Sequence, residues 1–342
     1  MGRKHRKRTV HMKLTSLCLS ICAVALVIVI GAFAARFVEK KLSVKVENAG
    51  EQITAHSDDE NTAQVYVDDC WYRKKDVDTL LVIGIDDYGA AADSNSYNNS
   101  NQADFLVLFI TDNETGESTA LHINRDTMAD ITMLGVTGED VGTQHAQLAL
   151  AFNYGRGLGD SSRNTADAVK HLLYGTEIDR YITVTMDAVE IMNDWAGGVT
   201  LEVLDDMTSV DSAFVKGSQV TLTGDQALAY VRTRKGLDDS TNINRMKRQR
   251  QYASAWAKTA QEKLTDSEAV AQLVVQMSDY HHSDCTAEEL AVFADRLGSQ
   301  PSVEIYELPG EARRGAEYME FYADDAGIIR LVLDLFYVPA GT

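Results

Sequence analysis

DTLLVIGIDD, residues 78–87, decides how this chain is read. Thr79–Ile85 is a short apolar run bounded by acids, the pattern of a strand buried on both faces. ADFLVLFI (103–110) repeats it, with Phe105–Thr111 as a second buried strand. DNETGE (112–117) then supplies a glycine-containing turn, and Ser118–Ile123 returns as a third strand, closing a hairpin. Helical patterns follow at 146–154 and 165–173, a strand at 181–185, and a helix at 188–195 that Gly197–Gly198 should end before a strand at 199–203. Residues 225–231 predict a short helix after Gly224, and 243–264 carry the longest helical pattern. Helices near 267–278 and 287–297, a strand near 303–308 and a helix near 324–336 complete the series. Strands alternating with helices predict a layered α/β/α sandwich around a central mixed sheet, one domain over 77–337 with a short tail at 338–342.

Upstream, the chain changes character. Residues 1–13 carry six basic residues and no acid, and from Leu14 to Ala35 there is no charged residue. That uncharged run is long enough to cross a hydrocarbon core, which takes about 20 residues. A cleaved signal peptide is the alternative, since Ala32, Ala34 and Ala35 resemble a cleavage site. The basic flank places the N-terminus in the cytoplasm. Residues 36–76 are polar and read as a stalk. The expectation is therefore a single-pass protein of the cell membrane, with its folded part outside the cytoplasm.

The 342 residues hold 32 Lys/Arg and 51 Asp/Glu. Nine of the basic residues and one acid precede residue 42, so residues 42–342 carry 23 Lys/Arg against 50 acids, a net of −27. Such a surface excludes a broad nucleic-acid-binding face, because phosphate contacts dominate that affinity. Cys18 and Cys22 fall in the apolar run. Cys70 and Cys285 remain, which is no disulfide framework. No G-x-S-x-G elbow supports a serine hydrolase. Gly155–Gly159 lacks the strand a dinucleotide loop needs, and His281, His282, Asp284 and Cys285 match no ordinary zinc spacing.

Charge reverses locally over 232–250, where Arg232, Arg234, Lys235, Arg245, Lys247, Arg248 and Arg250 face only Asp238 and Asp239. Five of the seven are Arg, whose planar fork grips phosphate oxygens bidentately. Arg232 and Arg234 share a side if extended, and Arg245, Arg248 and Gln249 share a helix face at i, i+3 and i+4. Together they predict an anion site, against the alternative of a solvated charged face. Asp86 and Asp104 lie at neighbouring strand ends, where aspartates are common turn formers, but carboxylates joined by phosphate oxygens are also how Mg²⁺ is ordinarily held. Arg125-Asp126 ends the third strand at the same edge.

These segments resemble the LytR-CpsA-Psr family of bacterial envelope enzymes. The matching stretches are DTLLVIGIDD (78–87), ADFLVLFI (103–110), INRDTM (123–128), GDQALAYVRTRKG (224–236) and NRMKRQRQ (244–251), with LPGE (308–311) and DLFY (334–337) near the end. The resemblance implies a phosphotransferase that moves a glycopolymer with one phosphate from a polyprenyl-pyrophosphate carrier onto peptidoglycan and releases polyprenyl phosphate. It implies Mg²⁺ on Asp86 and Asp104, pyrophosphate on Arg125, Arg232, Arg234, Arg245 and Gln249 with Arg248 beside them, and an apolar tunnel for the lipid. Asp86 and Asp126 are the candidate bases for the acceptor hydroxyl, with Arg125 counted among the catalytic groups. This chain departs from the family pattern at Gln102, where Arg is usual, at Asn124 in place of Pro, and at Gln147 and Ala149 in place of Lys and Asn. The lost cations leave two further readings open: an envelope protein that binds lipid-linked phosphate without transfer, and a pyrophosphate hydrolase.

Overall fold

The structure is a computed structural model that describes residues 55–56, 64–91, 96–97, 100–233, 242–264, 266–298, 300 and 303–340. The basic tail and apolar run of 1–35 lie outside the described residues, as does Arg234. Among the described residues no helix is long and apolar enough to cross a membrane.

Six strands make the central sheet: β1 (Val77–Ile85), β2 (Ala103–Asp112), β3 (Ser118–Ile123), β4 (Arg180–Val184), β5 (His281–Ser283) and β6 (Glu304–Glu307), in the order β5-β4-β1-β2-β3-β6. β2 runs antiparallel to both β1 and β3. β4 is parallel to β1, β6 is parallel to β3, and β5 closes the far edge antiparallel to β4. The sheet is mixed, as predicted. Its two faces follow from the two-residue period of a strand. Leu80, Val82, Val107 and Phe109 point into one core, and Leu81, Ile83, Leu106, Leu108, Leu121 and Ile123 into the other. Burying each such side chain is worth about 1.5–3 kcal/mol, which is why these runs are apolar without interruption.

Helices cover both faces. α1 (Gly157–Leu172) and α7 (Asp325–Phe336) pack on the second core with a 3₁₀ turn at Leu148–Asn153. On the first core lie α2 (Asp187–Ala196), α3 (Gly224–Arg232), α4 (Asn242–Leu264), α5 (Ser267–Met277) and α6 (Ala287–Gly298). Gly197 ends α2 at φ 93°, a left-handed conformation that costs a side chain energy. Thr223 caps α3 in a reciprocal box with Gln226. Trp256 of α4 is fully buried and donates its indole N–H to Met192 O at 2.7 Å, locking α4 against α2.

Three expectations need correction. The stalk over 36–76 is too long, because Gln64–Val67 and Cys70–Lys74 form a hairpin turned by Asp68 and Asp69 at positive φ. The expected tail contributes to the same small sheet, where Tyr337–Pro339 pairs with Lys74–Tyr72. The helix expected over 146–154 is the end of a strand, Asp140–Gln147, followed by the 3₁₀ turn. That strand pairs with Met128–Leu134. A further hairpin, Gly310–Arg314 with Met319–Ala323, lies where no strand was expected. Cys70 and Cys285 are free thiols.

Antiparallel pairing brings the end of β1, the start of β2 and the end of β3 to one rim of the sheet. Ile85 pairs with Ala103 after a register shift at Gly84, and Leu106 pairs with Ile123. A Cβ on Gly84 would come within 3.0 Å of Phe105 Cβ, so glycine lets the strands meet closely where they lead into the rim.

Candidate functional site

The rim gathers Asp86, Gln102, Asp104, Arg125 and Asp126, and the first turn of α4 adds Arg245. Asp104 is the hub. One carboxylate oxygen pairs with Arg125 Nη1 and the other with Arg245 Nη1 at 3.0 Å, while Arg245 Nη2 approaches Asp104 O at 3.5 Å. Both guanidinium groups are buried, where ion pairs are screened far less than at a surface. Arg125 also donates from Nη2 to Gln102 Oε1 at 2.5 Å, and its Nε lies 3.4 Å from Asp126 Oδ1.

Gln102 ties the first two strands together. Its N–H donates to Asp86 Oδ1 at 2.6 Å and its carbonyl accepts from Asp86 N at 3.1 Å. Asp86 is half-buried, whereas Asp126 is almost fully buried and accepts from Gln147 Nε2 at 3.2 Å. Gln147, which stands where the family pattern has Lys, also reaches Met319 O at 2.7 Å and so braces Asp126 from the far hairpin.

The other predicted phosphate ligands are dispersed. Arg232 is exposed, donates to Tyr88 OH at 2.6 Å and stands 5.4 Å above the Tyr88 ring. It therefore lies against the segment that follows Asp86-Asp87. Arg234 falls outside the described residues. Gln249 donates to Val231 O at 3.3 Å, and its buried Oε1 has no hydrogen-bond partner among the described residues.

Arg248 departs from expectation. Its guanidinium donates to Tyr230 O at 2.9 Å and to Thr233 O, pairs with Asp205, and is only 1% exposed. Three residues along a helix rotate a side chain by about 60° from its neighbour. That angle turns Arg248 toward the end of α3 while Arg245 faces the strand ends. Arg248 is a structural tie, not a member of the rim cluster.

Beside the rim, Phe105, Val107, Phe109, Ile305 and Ala253 line a narrow apolar crevice between the sheet and α4. Gln249, Arg250 and His122 supply polar groups to its lining. Arg250 pairs with Glu307 and approaches His122 Nδ1 at 3.2 Å. Burial, reinforced by the charges of Arg250 and Arg245, holds His122 well below the ordinary histidine pKa, so the ring is neutral.

As to a metal, Mg²⁺ needs one or two carboxylates plus phosphate oxygens and waters. Asp86 and Asp104 are oxygen donors of the right kind on adjacent strand ends. Among the described residues no group of three or more His, Cys, Asp or Glu could hold a metal by itself. The donor set thus suits an ion that shares its coordination with a bound phosphate.

Several residues of this network were not legible as site residues. Asn124, Gln102 and Gln147 are neutral amides without periodicity. Asn124, Gln102 and Gln147 stood out only as departures from a pattern.

Comparison with known proteins agrees with this layout. The chain is 25% identical over 226 residues to polyisoprenyl-teichoic acid–peptidoglycan teichoic acid transferase TagU of Halalkalibacterium halodurans, covering 66% of this chain and 69% of the relative. It is 27% identical over 188 residues to the corresponding TagV of Bacillus subtilis, covering 53% and 43%. The chain spans about half the length of most of the curated relatives it matches. Among solved structures, the Streptococcus agalactiae protein gbs0355 superposes with a TM-score of 0.58 at 20% identity, over 78% of this chain and 90% of that one. TagT bound to LIIa-WTA gives 0.56 at 21%, over 76% and 90%. Residues 41–329 match the LytR_cpsA_psr family across the sheet, both helical layers and every described rim residue, and the chain belongs to that family.

Proposed function

We propose that this protein is a phosphotransferase of the cell envelope, moving a glycopolymer with one phosphate from a polyprenyl pyrophosphate onto peptidoglycan. The observation that carries this reading is the Arg125–Asp104–Arg245 cluster set beside an apolar crevice. Two buried guanidinium groups converge on a single carboxylate, so an arriving pyrophosphate can take over as their anionic partner. The teichoic acid transferases among the relatives point to the same class of substrate.

Phosphoryl transfer asks mainly for positioning and charge stabilisation. Arg125 and Arg245 would exchange Asp104 oxygens for phosphate oxygens, with Arg232 reaching in from the Tyr88 side. That exchange would free Asp104 to share Mg²⁺ with Asp86. When bound, the ion supplies further neutralisation of pyrophosphate charge. The acceptor hydroxyl oxygen forms a bond to the phosphorus nearer the glycan, the bridging P–O bond breaks, and prenyl monophosphate departs. Asp86 and Asp126 are the two candidate bases: Asp126 is buried and accepts from Gln147, while half-exposed Asp86 accepts from Gln102 N–H and would also serve the ion. The prenyl chain would enter the crevice, which must widen to admit it. We further propose that residues 14–35 anchor the chain in the cytoplasmic membrane with the folded part outside.

A second reading, binding without transfer, draws on Gln102 and Gln147, neutral residues where the family pattern carries cations. The two are separated by incubating the full chain in detergent with Mg²⁺, a prenyl-pyrophosphate-linked oligosaccharide and a peptidoglycan fragment. Acceptor-dependent release of prenyl monophosphate, lost in Arg245→Ala, is the expected result. Release without acceptor would identify a hydrolase, and tight binding without release would identify a binder.

A further inference from the structure

Two buried amides behind the arginine cluster have no part in the chemistry above. Asn242 opens α4 and is 2% exposed, and Asn124 directly follows β3 and is 4% exposed. Arg245 Nε donates to Asn242 Oδ1 at 2.7 Å, and Asn242 Nδ2 donates to Asn124 Oδ1 at 2.9 Å. Asn124 Oδ1 also accepts from Asp126 N at 3.0 Å, while Asn124 O accepts from Thr127 N at 3.0 Å and from Thr127 Oγ1 at 2.6 Å.

The amide orientations are fixed by chemistry. A guanidinium and a backbone N–H are donors only, so oxygen must face each of them. Asn242 therefore turns its oxygen to Arg245 and its nitrogen to Asn124, and no other arrangement satisfies all four groups.

We infer that Asn242 and Asn124 are positioning residues, a neutral relay that sets both arginines on Asp104 and keeps them ready for pyrophosphate. With Nε fastened, the Nη edge of Arg245 is aimed at Asp104. With Asn124 closing the turn onto Asp126 and Thr127, Arg125 between them is presented from a rigid loop. The relay joins the helix that carries one arginine to the strand end that carries the other. Buried hydrogen bonds of this kind rigidify their surroundings. Because both links are uncharged amides, neither cancels guanidinium charge that an anionic ligand would use. A ligand-binding site needs its groups placed to within about 0.5 Å by such supporting contacts.

This inference rests on the pyrophosphate reading, and its test separates the two. The full chain in detergent is titrated with geranylgeranyl pyrophosphate and Mg²⁺ by calorimetry, alongside Asn242→Ala, Asn124→Ala, Arg245→Ala and the Asn242→Ala/Arg245→Ala pair, with a thermal midpoint for each. Asn242→Ala and Asn124→Ala should each weaken binding about tenfold, the scale of a lost hydrogen bond to a charged group. In the Arg245→Ala background, Asn242→Ala should cost no further affinity, because the amide acts through that guanidinium. If Asn242→Ala unfolds the protein, Asn242→Leu, of similar size and unable to accept from Nε, carries the same comparison in the two backgrounds. Full additivity, or a folded Asn242→Ala protein that binds like the parent while Arg245→Ala does not, overturns the relay alone. An Arg245→Ala protein that binds like the parent overturns both the pyrophosphate reading and the relay.

Discussion

His122 offers a quantitative test of how this core is built. The ring sits on β3, fully buried, 5.2 Å from the ring of Phe105, with Nδ1 toward Arg250. Arginine can only donate, so Nδ1 must accept and the imidazole is neutral. Its pKa is depressed well below 6.5 in the folded protein, first by burial and then by the nearby arginine charges. In the unfolded chain the same group titrates near its ordinary value of about 6.5. As pH falls below that value, the unfolded state takes up a proton that the folded state refuses, so stability declines on acidification. With the folded ring neutral through pH 5.5, the loss between pH 7.5 and 5.5 is RT times the logarithm of about ten, or about 1.4 kcal/mol. For a domain of this size that corresponds to about 3–5 °C in thermal midpoint. The perturbation is His122→Gln, whose amide oxygen can accept from Arg250 without titrating. Midpoints for parent and variant are measured across the pH range, and the parent should lose about 3–5 °C relative to the variant on going from pH 7.5 to 5.5. Parallel curves would refute the assignment of a buried, neutral histidine.

Two further outcomes follow from the arginines. Arg248→Ala should destabilise the fold by about 1–3 kcal/mol, because it leaves half-buried Asp205 and the carbonyls of Tyr230 and Thr233 without their guanidinium donor. Exposed Arg232→Ala should change the thermal midpoint little and act on prenyl-pyrophosphate affinity instead; equal midpoints for the two variants would contradict this division. Chelation with EDTA should abolish transfer while leaving the ligand-free midpoint almost unchanged, since both Asp104 oxygens are already paired with guanidinium groups. A large fall in midpoint on chelation would mean that a metal supports the resting fold.

The three central strands were legible because both faces of each are buried, leaving uninterrupted apolar runs. Hairpin 128–147 was not. Its second strand, DVGTQHAQ, buries only Ala146, so it carries no apolar alternation to read. Hairpin 64–74 was hidden for a related reason: it folds by pairing with residues 337–339, a partner distant in sequence. At the site, the meeting of Asp104, Arg125 and Arg245 followed from strand order and motif. The split between Arg245 and Arg248 did not, because spacing gives a helix face but not which neighbour claims each guanidinium. The amide relay left no trace in composition or period at all. Its residues matter through mutual hydrogen bonding, which only a fold brings about.

The small sheet where residues 64–74 clasp 337–339 lies before the first residue of β1, and the reactive rim lies after the last. Nine residues of strand, at about 3.3 Å each, separate these two poles by roughly 30 Å. Both the segment entering β1 and the segment leaving α7 are thus moored at the pole remote from the rim. Cleavage after Phe336 would unzip that small sheet and loosen the path leading into β1, about a strand's length from the Asp104 cluster.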